Sequence, residues 1–193
     1  MRPVPTSISQ RLTPAAELFA ERGLDQTKIE DVAEATGIPK ATLYYYFAGK
    51  EDILAFLLRD ALVAMADAVA IAADGGGAAR DRLTGVLTAQ LQVMADQPAV
   101  CRALIADLGR AGRLPDITQA IVDAFYGPIE RLLREGAEDG SLRGVPDPLA
   151  AAVAIFGAVT IGGLSHLVLV GGLPVEQVVG QLTDLLLAGL DPR

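Results

Sequence analysis

Apolar residues recur along most of the chain with a period near that of a helix, and no segment alternates with the period of two that marks a half-buried strand. The pattern predicts an all-α protein. Over residues 7–22, Leu12, Ala15, Ala16, Phe19 and Ala20 make one apolar stripe, and Gly23 stands where a left-handed C-terminal cap would close the helix. Thr27-Lys28-Ile29-Glu30 has the form of a capping box, the threonine hydroxyl taking an orphan amide and the glutamate reaching back. The short helix it opens has Ile29, Val32 and Ala33 on one face and stops at Gly37. Only Ile38 and Pro39 then separate it from the next run, Lys40 to Phe47.

A longer helix begins at Ala48-Gly49-Lys50-Glu51, where Glu51 and Asp52 complement the positive end of its dipole, and Leu54, Leu57, Leu58, Ala61 and Met65 form its stripe. It is expected to end near Ala73, before Asp74-Gly75-Gly76-Gly77. Further helices are predicted over 79–96, 98–110, 115–137, 147–170 and 174–189, separated by prolines and a Gly-Gly-Leu-Pro turn. The division that follows is a three-helix head, 1–50, and a helical bundle, 51–193.

Half of the residues are hydrophobic, which excludes a disordered chain. The single cysteine, Cys101, excludes a disulfide framework, and neither it nor the single histidine stands at metal-ligand spacing. No secretory h-region opens the sequence, so a cytoplasmic protein is expected. The net charge of −8 argues against a polyanionic partner until its distribution is considered. Residues 1–50 hold six basic and six acidic side chains, and 51–193 hold ten and eighteen. All three lysines, Lys28, Lys40 and Lys50, fall in the head, and no acidic residue lies between Ala35 and Lys50. That stretch can face phosphates.

Two short helices joined by a tight turn form a helix-turn-helix, whose second helix can enter the major groove of DNA. Leu43 and Phe47, four residues apart, should anchor that helix on the other two, leaving Lys40, Ala41, Thr42, Tyr44 and Tyr45 facing outward. Three successive tyrosines cannot all be core, because their directions spread around the axis and each hydroxyl needs a partner.

The run Ala16-Glu17-Leu18-Phe19-Ala20-Glu21-Arg22-Gly23, followed by Thr27, Asp31-Val32-Ala33, Gly37-Ile38-Pro39-Lys40-Ala41-Thr42-Leu43-Tyr44-Tyr45-Tyr46-Phe47 and Lys50-Glu51, resembles the head of the TetR family of repressors. The resemblance spans roughly residues 8–58. It implies phosphate contacts from Thr27, Lys28, Thr42, Tyr44, Tyr45, Tyr46 and Lys50, with Pro39, Lys40, Ala41 and Tyr45 nearest the bases. Pro39 replaces a common serine and Tyr46 a common histidine, which blurs which bases are read. The implied protein is a homodimer on a near-palindromic double-stranded operator, released by a small-molecule effector. No catalytic group, cofactor or metal is expected.

In the body, Leu149 to Leu173 is apolar enough to satisfy the length rule for a membrane helix, but it is rich in alanine and glycine and lacks basic and aromatic flanks. A buried helix is the expected reading, with no membrane partner. Ala154, Ala158 and Gly162 repeat every fourth residue as a flat stripe for a second helix. In the last helix Val175, Val178, Val179, Leu182 and Leu186 share a face. The resemblance implies that these two helices form the dimer interface, with Ala154, Ala158, Gly162, Val175, Val179, Leu182 and Leu186 at the contact. It also implies an effector cavity bordered by Met94, Leu104, Leu108, Phe125, Tyr126, Phe156, Thr160 and His166. Between Val145 and Asp191 there is no lysine or arginine, so the effector is expected to be largely apolar and neutral or cationic.

Overall fold

The computed structural model describes residues 3–106, 122–172 and 174–190, the side chains of 104–106 excepted. Every regular element among the described residues is helical. A one-turn helix, Thr6–Ser9, and a 3-10 turn, Gln10–Leu12, lead into α1 (Thr13–Gln26); α2 (Ile29–Thr36), α3 (Lys40–Tyr46) and α4 (Lys50–Ala73) follow. Next come α5 (Ala79–Asp96) and α6 (Pro98–Ala106). After the undescribed stretch a π-helical turn, Val122–Tyr126, enters α7 (Gly127–Asp139). The chain continues through α8 (Pro148–Leu169), α9 (Val175–Leu187) and a last 3-10 turn, Ala188–Leu190.

Two compact units result. The first holds the chain up to Ala61 together with α6, and the second holds the remainder of α4, α5 and the helices from α7 onward. In the first unit Leu12, Ala15, Ala16 and Phe19 are buried as their spacing predicts, and α6 packs along α1 with Arg102 paired to Glu17 at 3.1 Å. Gly23 has a positive φ of 72°, but its ψ of 164° places it outside the left-handed helical well. That backbone breaks the helix sharply, and only glycine adopts it without strain.

In the second unit α5 is the central helix, touching α7, α8 and α9. Asp139, at the end of α7, caps it from outside: its carboxylate accepts from the backbone N–H of Ala79 at 2.9 Å and of Ser141 at 2.8 Å. The Ser141 hydroxyl, followed by the backbone N–H groups of Ala79 and Ser141, holds the Asp139 carboxyl below its ordinary range. α8 starts cleanly because Asp147 accepts from the N–H of Ala150 at 3.0 Å and Pro148 occupies the first turn. By length and composition α8 could cross a membrane, yet Ala152, Ile155, Val159, Gly163, Leu164 and Leu167 line a face buried within this unit. Its closest approach is at Gly163, where an added Cβ would stand 2.8 Å from both Leu91 Cδ2 and Met94 Cε. The close packing of small residues thus falls one position past the predicted stripe and inside the subunit.

Candidate functional site

The turn that sets α3 is built from bonds at both ends of α2. Its N-terminus is capped one residue later than Thr27 suggests: the backbone N–H of Lys28 donates to Asp31 Oδ2 at 2.9 Å. Thr27 is fully buried and donates its hydroxyl proton to the carbonyl of Gly23 at 2.8 Å. The predicted capping box is therefore corrected, because the carbonyl left open by the break at Gly23 claims the threonine. The same burial takes the Thr27 hydroxyl off the surface expected to meet phosphate.

At the other end Gly37 lies in the left-handed region (φ 63°, ψ 15°) and closes α2. Thr36 Oγ1 donates to the Val32 carbonyl at 2.7 Å and accepts from the N–H of Ile38 at 3.2 Å. The Arg11 guanidinium donates to the carbonyl of Gly37 and, at 3.4 Å, to that of Thr36. Sequence reasoning missed Arg11 because it lies far upstream, with no local pattern tying it to the turn.

Leu43 of α3 and Phe47 at its C-cap are buried, with the Phe47 ring edge-on to Phe56 at 5.6 Å. Pro39, Lys40 and Ala41 are exposed; Tyr44 and Tyr45 are 55% and 57% exposed; Thr42 and Tyr46 are half-buried. Tyr45 and Tyr46 meet edge to face at 4.9 Å. One helix thus presents a cation, a methyl, a hydroxyl and two aromatic rings to solvent from a rigidly seated turn.

The three lysines differ. Lys28 is exposed. The Lys40 ammonium pairs with Glu30 of α2, and the hydrogen bond between them holds the Glu30 carboxyl below its usual range and raises Lys40. Lys50 donates to the carbonyls of Asp25 at 3.1 Å and Thr27 at 2.9 Å, tying the start of α4 to the turn between α1 and α2.

This geometry has counterparts. The family profile described as bacterial regulatory proteins, tetR family, matches residues 12–56, the segment just built. The transcriptional repressor KstR2 of Mycolicibacterium smegmatis is 30% identical over 134 residues, 67% of this chain and 64% of the relative, so the match falls just short of two thirds of that relative's length. Residues 12–56 thus carry the head of the TetR family. Among solved TetR-like folds, the ketosteroid regulator KstR2 of Mycobacterium tuberculosis superposes with a TM-score of 0.81 at 24% identity, covering 99% of this chain and 98% of that one. FadR of Bacillus subtilis, solved with stearoyl-CoA, gives 0.76 at 21% identity, covering 93% and 97%.

In the helical body, several of the expected effector-lining residues come together. Phe156 of α8 lies 4.7 Å from the Phe125 ring and 5.3 Å from the Tyr126 ring. Thr160, one turn further along, accepts from Gln90 Nε2 of α5 at 2.8 Å. Met94 is buried against Gly163. His166 is half-buried, with Nδ1 3.1 Å from the Gly162 carbonyl. The Leu104 side chain and Leu108 lie outside the described residues.

Of the residues expected at the dimer contact, Ala154 is exposed, Ala158, Val179 and Leu186 are partly so, and Val175 is buried within the subunit. An added Cβ at Gly162 would stand 3.8 Å from both Leu182 methyls, so this pair marks α8 against α9 of the same chain. A more open apolar row runs along α8 through Val153, Gly157, Ile161 and Val168, with Ile161 60% and Val168 57% exposed, and Leu185 of α9 is 75% exposed.

Proposed function

We propose that the protein is a dimeric transcriptional repressor that binds a near-palindromic operator through α3 and is released by a small, largely apolar effector bound in the helical body. The observation that carries this reading is the outward face of α3: Lys40, Ala41, Tyr44 and Tyr45 are exposed while Leu43 and Phe47 seat the helix. Such a face suits the major groove, with hydroxyls and cations on the flanking phosphates. Two-fold symmetry would supply two recognition helices for two half-sites.

The open apolar row on α8 and Leu185 of α9 support a second copy of the chain as the partner on that side. Large exposed apolar side chains grouped on neighbouring helices mark an interface. Gly157 lets a facing helix approach closely, since nothing lies within 4 Å of a Cβ built there.

Charge supports a neutral effector. Arg131 holds Asp74 at 2.6 Å, Arg134 holds Glu130 and Arg102 holds Glu17, so three arginines that could turn toward an anion already have carboxylate partners. Arg110 lies outside the described residues. The stearoyl-CoA in the FadR complex favours a second reading, an acyl thioester effector with an anionic head. The mechanism is the same for both: an effector that binds the DNA-incompetent arrangement of the two heads more tightly shifts the population away from the operator.

The test is recovery of genomic duplex fragments on the immobilised protein, followed by release with matched neutral and anionic amphiphiles. Enrichment of an inverted repeat, eluted by neutral compounds, is expected. No enrichment at low ionic strength contradicts the repressor reading, and release by anions alone contradicts the neutral-effector reading.

A further inference from the structure

Gln90 is 1% exposed in the middle of α5. Its neighbours on that inward face, Val86, Leu87, Leu91 and Met94, are apolar. One end of its amide is paired, Nε2 donating to Thr160 Oγ1 at 2.8 Å. The other end, Oε1, has no partner among the described residues. Turning the amide over does not remove the deficit. The threonine hydroxyl can donate to or accept from whichever end faces it, and the opposite end stays unpaired in either orientation. A buried polar atom without a partner is costly, and a leucine or methionine would fill the same place without that cost.

The location gives the unpaired atom a meaning. Thr160 and Phe156 are one turn apart on α8, and the Phe156 ring meets Phe125 and Tyr126. A polar amide and an aromatic cluster are therefore brought to one stretch of α8, as an apolar site with one polar contact requires.

We propose that Gln90, held by Thr160, is the specificity-determining contact for the effector: a neutral molecule whose apolar body lies against Tyr126 and Phe156, which are backed by the buried Phe125, and whose hydroxyl pairs with the open end of the Gln90 amide. A hydroxyl fits because it donates to Oε1 in one amide orientation and accepts from Nε2 in the other. An alkane satisfies neither. The assignment rests on the ligand-released reading above and adds the chemistry that the ligand must carry.

The experiment is calorimetric titration of the full-length protein with phenylpropanol bearing a terminal hydroxyl and with butylbenzene, in which a methyl replaces that hydroxyl. Each is titrated into wild type and Gln90→Met. Because the two probes differ in their own hydration, the quantity read is the change in their affinity ratio on substitution. The ratio of alcohol to hydrocarbon affinity should fall by about tenfold in Gln90→Met, equivalent to about 1.4 kcal/mol. Gln90→Leu takes its place if the methionine variant does not fold, folding being checked by circular dichroism. An unchanged ratio, or no saturable binding of either probe to wild type, overturns the proposal. Operator binding by the same unliganded proteins is measured separately. Its absence sinks the repressor reading, while intact DNA binding with an unchanged ratio sinks only the Gln90 assignment.

Discussion

Lys40 and Lys50 carry the same charge but are held differently, and substitution should separate them. Lys50 gives two hydrogen bonds to the carbonyls of Asp25 and Thr27. Lys50→Ala should lower the stability of the head by about 1 kcal/mol. It should also weaken binding to all duplexes alike, flattening the salt dependence by about one unit per head. Lys40→Ala should instead relax sequence preference; the assignment fails if anisotropy titrations on operator and scrambled duplexes show these two patterns exchanged. Glu30→Gln frees Lys40 and removes a negative charge beside the DNA face, so affinity should rise by about two- to fivefold for any duplex. The Glu30 carboxyl is held low in the folded head, chiefly by the bond from Lys40. What the pair contributes to stability is therefore present above the ordinary glutamate range and lost as pH falls through the lowered value. Melting curves of wild type and Glu30→Gln should differ most above the ordinary glutamate range and converge only as pH falls through the lowered value. The inward and outward positions of α3 were legible because one helical period decides them. Thr27, Asp31 and Arg11 were not, since each bond depends on where the backbone breaks at Gly23 and Gly37.

At the scale of elements, glycines mark where helices approach. Gly136 of α7 has no room for a side chain, because an added Cβ would fall 2.6 Å from Leu142 Cδ1. Gly136→Ala should cost about 1–3 kcal/mol by overpacking, read as a lower denaturation midpoint with an unchanged slope. A wild-type midpoint would mean that Leu142 can move aside. Gly157 faces open space, so Gly157→Leu should leave the isolated subunit folded and weaken only the dimer. Sedimentation should then show monomer at concentrations where wild type is dimeric, whereas an intact dimer would place the interface elsewhere. Helix limits such as Ala73, Ala79 and Asp96 were readable from glycines, prolines and caps. The faces of α8 were not: it is apolar all round, so its sequence has no period to say that Gly163 meets α5, Gly162 meets Leu182 and Gly157 is open.

For the molecule as a whole, the acidic balance and the DNA reading are reconciled by segregation, since Lys28, Lys40 and Lys50 all sit in the first compact unit. That unit also takes in α6, a helix far from the head in sequence, and no local pattern predicts this grouping. The head was legible because its motif is dense and local, whereas the proposed effector site depends on pairs such as Gln90 with Thr160, seventy residues apart. The central claim is that two α3 helices of one dimer bind one operator through these cations. The measurement that tests it most directly is fluorescence anisotropy of an operator duplex titrated with protein across a salt series. The two phosphate-facing lysines of each head, Lys28 and Lys50, predict for a dimer a slope of log affinity against log salt of about −3.6, with one dimer per duplex. No binding at low salt, or a slope near zero, would contradict the account.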